Sequence, residues 1–280
     1  MKYCIDYTPT SHSLSEVDEI NVPFSKDDLL TLIDFLEKHQ APQRVNIYIK
    51  DIESMKMIDK LIRIKKENLN FNFALKLAFY DKETVDLEKI KNANIDFYFE
   101  TYITEWEKLL EILELGVSDV FLTEDICFDL KRASNIIHKY NSKVRLFPNV
   151  SQKSWNKMPA LKTFFIRPED VDSYEKYVDI LEFYGDRKKH DVYYKIYNKD
   201  KKWFGDLEEL IIDLKYSLDS RFVIPRFGEK RITCQRKCLK GEKCNICEKI
   251  ERLSKTLKNA NILVKIDNKE EKEDGERTRE

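Results

Sequence analysis

The stretch Gly116–Phe147, GVSDVFLTEDICFDLKRASNIIHKYNSKVRLF, contains the repeating unit of the fold. Val117–Thr123 (VSDVFLT) is short and rich in β-branched and aromatic residues, the signature of a strand. Leu130–Tyr140 follows with helical period, and Val144–Phe147 (VRLF) is a strand again. Upstream, Thr104 precedes an amphipathic helix over Glu105–Leu115, and Gly116 supplies the stop expected at its C-terminus. Strand, helix and strand in this order form the right-handed crossover of a parallel sheet.

The unit repeats on both sides. Strands are predicted at Tyr3–Tyr7, Val45–Ile49, Phe71–Ala78 and Ile95–Glu100, and further on at Thr163–Ile166 and Val178–Tyr184. Helices are predicted over Asp27–Lys38, behind Ser25 as N-cap, over Asp51–Lys66 and over Val171–Tyr177. After the first unit the strands recur at the spacing of repeated strand–helix units. Eight strands of this kind predict an α/β fold, a (β/α)8 TIM-like barrel, with an open doubly wound sheet as the alternative. Val192–Tyr197 and Phe222–Arg226 also read as strands, so the count carries a margin of one or two.

Only six of the 280 residues are glycine, and neither G-x-G-x-x-G nor G-x-x-x-x-G-K-S/T occurs. A nucleotide crevice has no glycine-rich turn to serve it, which favours the closed barrel. Basic and acidic residues, 50 against 51, nearly cancel, so the whole molecule presents no broad field to a polyanion or a membrane. Met1–Ser13 lacks a basic stretch followed by an apolar run, and no apolar window approaches the length of a membrane span. A cytoplasmic protein with reduced thiols is expected. The organisation predicted is a barrel over 1–189, an aromatic and basic extension over 190–266 with a helix near Leu207–Tyr216, and a disordered tail over 267–280.

The extension carries RITCQRKCLKGEKCNICEKI, in which Cys234, Cys238, Cys244 and Cys247 form C-x3-C-x5-C-x2-C. Four thiolates this close suit one tetrahedral centre, with Gly241 placed for the chain reversal and a helix predicted next, around Ile246–Leu257. Zinc and an iron–sulfur cluster both accept four cysteines, and the spacing favours structural zinc. Arg226 and Arg236 help to make this module basic, and in the neighbouring segment Lys195 and Lys202 lie among Tyr193, Tyr194, Tyr197 and Trp203, a mixture able to hold phosphates and stack bases of RNA or DNA.

A barrel places its chemistry at the C-terminal ends of its strands. The polar residues there are Asp6, Lys50, Asp51, Lys76, Glu100, Glu124, Asp125, Asn149, Gln152, Arg167, Glu169 and Glu182. Glu100, Glu124 and Arg167 each close a strongly apolar strand and are the preferred catalytic candidates, expected to share one mouth with Asp6. No H-E-x-x-H, H-x-H or serine-elbow motif occurs, so the zinc and serine hydrolase readings find no footing.

GVSDVFLTEDICFDLKRASNIIHKYNSKVRLFPNVSQ is similar to the middle of the collagenase-like peptidase family of unassigned catalytic type. TFFIRPEDVDSYEKYVDILEFYG resembles that family's next two strands, with Arg167 and Glu169 at its Arg-Glu turn. The resemblance, over about residues 116–185, implies a TIM-like barrel and relatives that hydroxylate RNA bases or quinone precursors with a 4Fe–4S cluster on four cysteines. It puts a 4Fe–4S cluster level with Zn2+ as the metal centre. The cysteines here are compact and C-terminal, whereas that family's ligands are more dispersed. The sequence thus predicts a metal-containing barrel enzyme acting on RNA or another anionic substrate. The alternative is a non-catalytic scaffold that binds nucleic acid or protein through a zinc module.

Overall fold

A computed structural model describes residues 1–6, 17–23, 44–49, 58–66, 72–78, 87–100, 103, 105–122, 124–150, 164–212, 214, 219–223, 227–234, 247–249, 252 and 256. Eight strands form one parallel sheet: β1 (Lys2–Asp6), β2 (Glu19–Pro23), β3 (Arg44–Ile49), β4 (Phe73–Leu77), β5 (Asp96–Phe99), β6 (Asp119–Phe121), β7 (Lys143–Leu146) and β8 (Ile180–Glu182). Hydrogen-bonded neighbours follow chain order from β1 to β5 and from β6 to β8, and β8 pairs back onto β1. Among the described residues β5 and β6 share no full ladder. The Ser118 N–H donates to the Phe97 carbonyl at 2.8 Å, and Ile103 bridges Leu122, which brings the two edges together. The result is a nearly closed α/β barrel.

Helices α1 (Ile58–Lys66), α2 (Leu87–Asn92), α3 (Trp106–Glu114), α4 (Glu124–Cys127), α5 (Leu130–Lys139), α6 (Val171–Tyr174), α7 (His190–Tyr194), α8 (Leu207–Leu210) and α9 (Phe227–Ile232) follow in order. Each long helix buries one stripe: Leu109, Ile112 and Leu113 on α3, and Leu130, Ala133 and Ile137 on α5. Helix α3 stops where expected: Gly116 takes a φ of 73° and its N–H returns to the Leu113 carbonyl.

Side chains alternate across each strand. Ile5, Ile20, Val22, Val45, Ile47, Phe73, Leu75, Leu77, Phe97, Phe99, Val144, Leu146, Leu181 and Phe183 join the helices in one continuous apolar layer. The other face of the same strands carries Cys4, Glu19, Asn21, Arg44, Asn46, Lys76, Tyr98, Asp119, Arg145 and Glu182, all buried. Among the described residues the apolar cluster inside the wall is small: Ala74, Tyr98, Phe121 and Phe147. This lumen is therefore filled by charge and amide where barrels are usually filled by branched aliphatics.

The strand count agrees with the sequence reading, but the membership differs. Glu19–Pro23 (EINVP) was not predicted. Its Glu, Asn and Pro argue against a strand, yet Glu19 and Asn21 face a polar lumen while Ile20 and Val22 face the helices. Of the strand predicted at Thr163–Ile166, Phe164–Ile166 are not in a strand, and Thr163 lies outside the described residues. β7 pairs directly with β8, and Phe164–Ile166 runs buried outside the ladder, with the Ile166 N–H bonded to the Pro148 carbonyl. The strand reading of Val192–Tyr197 is also corrected. The segment is helical, with Tyr193, Tyr194, Ile196 and Tyr197 buried at helical spacing. It packs on β1, where the Tyr3 hydroxyl donates to the Tyr197 carbonyl. The strand predicted at Phe222–Arg226 starts in a 3-10 turn, Ser220–Phe222, and its remainder lies outside the described residues apart from Val223. The helix predicted over Asp27–Lys38 and the tail over 267–280 also lie outside them.

Candidate active site at the barrel mouth

The lumen charges form a chain that climbs from its floor to its mouth. At the floor, Arg44 on β3 holds Asp119 on β6 with both terminal nitrogens, at 3.1 and 2.7 Å. Arg145 on β7 donates to Glu19 on β2 at 2.6 Å and to Glu182 on β8 at 2.9 Å, and lies 3.4 Å from Asp119. Lys76 on β4 takes the other oxygen of Glu182 at 2.6 Å and reaches Glu100, just past β5, at 2.9 Å. Tyr48 on β3 closes the chain by donating its hydroxyl to the second oxygen of Glu100. These links join strands far apart in sequence, and each buried cation faces at least one buried carboxylate, as burial requires.

Burial and pairing set the protonation states. Burial by itself would raise the Asp119 carboxyl, but Arg145 and Arg44 outweigh it and hold the group down at about 2. Glu182 is likewise lowered, because Lys76 and Arg145 overcome the cost of burial. Burial alone would lower the Lys76 ammonium, and the carboxylates of Glu182 and Glu100 instead hold it above the usual lysine range. Tyr48 is raised by burial and by its bond to Glu100, so it keeps its proton. Cys4, bonded to Asn21 and Asn46, is raised well up by burial and stays an inert thiol.

The chain emerges into a cavity of about 450 Å³ whose walls include Asp6, Asn21, Tyr48, Lys76, Glu100 and Glu182. All lie at or near the C-terminal ends of their strands, where barrels carry their sites. Asp6 accepts from Asn21 at 2.9 Å and from the Arg187 Nε at 3.2 Å. Its backbone N–H donates to Nδ1 of the buried His190 at 3.0 Å. That bond requires a bare Nδ1, so His190 is the neutral Nε2–H tautomer, in keeping with a pKa lowered chiefly by burial.

The predicted residues divide as follows. Glu100, Asp6, Lys76 and Glu182 line the mouth. Arg167 does not: it is buried outside the barrel wall, paired with Asp170 at 2.7 and 2.9 Å and donating to the Ser220 and Val223 carbonyls. The expectation that it shares the mouth with Glu100 is corrected, because the segment before it is no barrel strand. Glu169 caps the Trp203 N–H and accepts from the Ser220 hydroxyl. Asn149 clamps the Tyr184 backbone. The Glu124 and Asp125 side chains, with Lys50, Asp51 and Gln152, lie outside the described residues.

Lys195 and Lys202 are exposed, whereas Arg226 and Arg236 are not among the described residues. Of the four cysteines, Cys234 and Cys247 are described, half-buried against the apolar layer outside the wall, and Cys238 and Cys244 are not. With one residue between, Cys234 follows α9, which Arg231 anchors by placing its guanidinium 4.8–5.4 Å from the rings of Phe128, Phe164, Phe165 and Phe227. Among the described residues no helix is long and apolar enough to cross a membrane.

Sequence reasoning passed over Tyr48, Asn21, Tyr184, Arg187 and His190. Two of these carried a readable signal. In RVNIYI the polar Arg44, Asn46 and Tyr48 alternate with Val45, Ile47 and Ile49, and EINVP repeats the pattern with Glu19 and Asn21. Parallel strands buried on both faces are normally apolar throughout, so a polar alternation marks an inward polar face.

The fold and mouth define a barrel with a polar, ion-paired lumen that opens on a strand-end cavity. Comparisons with family models, with curated proteins and with solved structures find no match for this chain.

Proposed function

We propose that the protein is an enzyme performing acid–base chemistry at the mouth of its barrel, on RNA or another anionic substrate. The observation that carries this reading is the cavity into which the Glu182–Lys76–Glu100–Tyr48 chain opens. Lys76 and Tyr48 both keep their protons and both bond Glu100, so a single carboxylate is oriented by two donors. In this reading Glu100 accepts a proton from the substrate, while Lys76 and Tyr48 offer hydrogen bonds to the charge that develops. The four-cysteine centre, zinc or 4Fe–4S, would then stand at the outer wall where Cys234 and Cys247 pack. That position supports a structural role for it.

A second reading, the nucleic-acid- or protein-binding scaffold, draws on Phe204, which is 75% exposed close to the exposed Lys202. One experiment weighs both. Purified protein is incubated with separate small-molecule and RNA extracts, and products are profiled by mass spectrometry alongside the Glu100→Gln and Tyr48→Phe variants. A species consumed by the wild type and spared by both folded variants supports the enzyme. Loss at least about a hundredfold is expected, the usual scale for a positioned acid–base group. No consumption by the wild type, together with RNA binding abolished by Phe204→Ala, overturns the enzyme in favour of the scaffold.

A further inference from the structure

One side of the mouth is formed by Tyr184–His190, a strap that the sequence did not single out. Its first residue is fixed twice by Asn149: the Tyr184 N–H donates to Oδ1 at 3.1 Å, and Nδ2 donates to the Tyr184 carbonyl at 2.9 Å. The next residue, Gly185, has a φ of 103°, and a Cβ there would overlap the Ile212 Cδ1. Further on, the Asp186 carboxylate caps the Lys188 N–H, and His190 accepts from the Asp6 backbone. Asn149 thus ties the strap at its first residue and the Asp6 backbone at its last.

Two side chains of this fixed strap remain available to a ligand. The Tyr184 ring lines the cavity, packs edgewise on Phe147 at 5.4 Å and leaves 47% of the residue exposed. Arg187 also lines the cavity. Asp6 holds its Nε, while both terminal nitrogens have no partner among the described residues. A guanidinium anchored through Nε presents a preset two-nitrogen fork, the geometry that matches two oxygens of one anionic group. The three carboxylates of the mouth, Asp6, Glu100 and Glu182, disfavour a doubly charged group at this place.

We infer that the mouth binds a ligand that carries a flat ring and a singly charged oxyanion, a carboxylate or phosphodiester, with the ring against Tyr184 and the oxyanion on the free fork of Arg187. The inference rests on the mouth being the site of action, and it names the substrate chemistry and two residues that select it. An exposed ring held by its own backbone costs little further ordering when a ligand stacks on it.

The test reads binding without turnover, so its outcome is independent of whether Glu100 and Tyr48 act as proposed. Ligand-observed NMR titrations use benzoate for the carboxylate, the dinucleoside monophosphate uridylyl-uridine for the phosphodiester, and inorganic phosphate as an oxyanion lacking a ring. Saturable binding of benzoate or uridylyl-uridine, stronger than that of phosphate, is expected. Arg187→Gln should weaken it about tenfold or more, the scale of a hydrogen bond to a charged group. Arg187→Lys, which keeps the charge and loses the fork, should also weaken it, and Tyr184→Phe should bind better than Tyr184→Ala. Circular dichroism checks that each variant is folded. Phosphate binding as tightly as the ring-bearing probes, no binding of either probe, or unchanged affinity in folded Arg187→Gln would each overturn the inference.

Discussion

On β3, Val45, Ile47 and Ile49 face the helices while Arg44, Asn46 and Tyr48 face the lumen, one residue apart along the same strand. The outer layer needs only shape and apolarity, so its members tolerate exchange among branched side chains at modest cost. The lumen requires matched partners. Each of its cations removes the burial cost of a carboxylate on another strand, and none can leave without stranding a charge. The comparison teaches that one wall can be held by two kinds of force, one forgiving and one exacting.

The largest expected effect breaks that contrast at its centre. Arg145→Met leaves Glu19 and Glu182 without their shared guanidinium, and should cost about 3–5 kcal/mol in urea unfolding. A sharper form is the pair Arg44→Met and Asp119→Leu. Because the two residues meet across the lumen, the double variant should lose less than the sum of the singles, by about 0.5–3 kcal/mol. Strict additivity would mean that the lumen pairs do not act as pairs.

Acid is the next lever. Asp119 is depressed from 3.8 to about 2 in the folded chain, so the unfolded chain binds the extra proton first. Its contribution is complete above about 4 and is lost as pH falls through about 2, amounting to about 2 kcal/mol. Glu182, also lowered, acts in the same direction. His190 acts earlier: as a buried neutral imidazole with a lowered pKa, it destabilises the fold progressively as pH falls below 6.5. Unfolding free energies measured from pH 7 to pH 2 should therefore decline in two stages, and Asp119→Asn should flatten the lower one.

The smallest effect belongs to the outer layer. Ile47→Val should cost about 0.5–1.5 kcal/mol, with no change in the pH profile. An outer-layer variant that shifted the acid limb would show that the two regions are not separate.

The sequence made the periodic part of this molecule legible. Helices α3 and α5 and strands β3 to β7 stand near where their patterns place them, because local burial decides both pattern and structure. What it misplaced follows from the lumen. A strand scored by apolarity misses EINVP, whose inward residues are polar by necessity, and accepts TFFI, whose aromatics pack outside the ladder. The mouth was legible as strand ends, which gave Asp6, Lys76, Glu100 and Glu182. Arg187 and Tyr184 were hidden because they sit on a strap after β8 whose place at the mouth depends on contacts with β1 and Asn149.

The cross-lumen ties have a consequence for descent. Arg44 answers to Asp119, Arg145 to Glu19 and Glu182, and Lys76 to Glu182 and Glu100, each across a gap of many codons. A mutation at one such codon strands its counterpart, so lineages would change these positions jointly or leave them alone. The outer layer drifts freely meanwhile. Distant kin of this chain would then share little continuous sequence, and would be recognised by a few inward residues inherited in pairs.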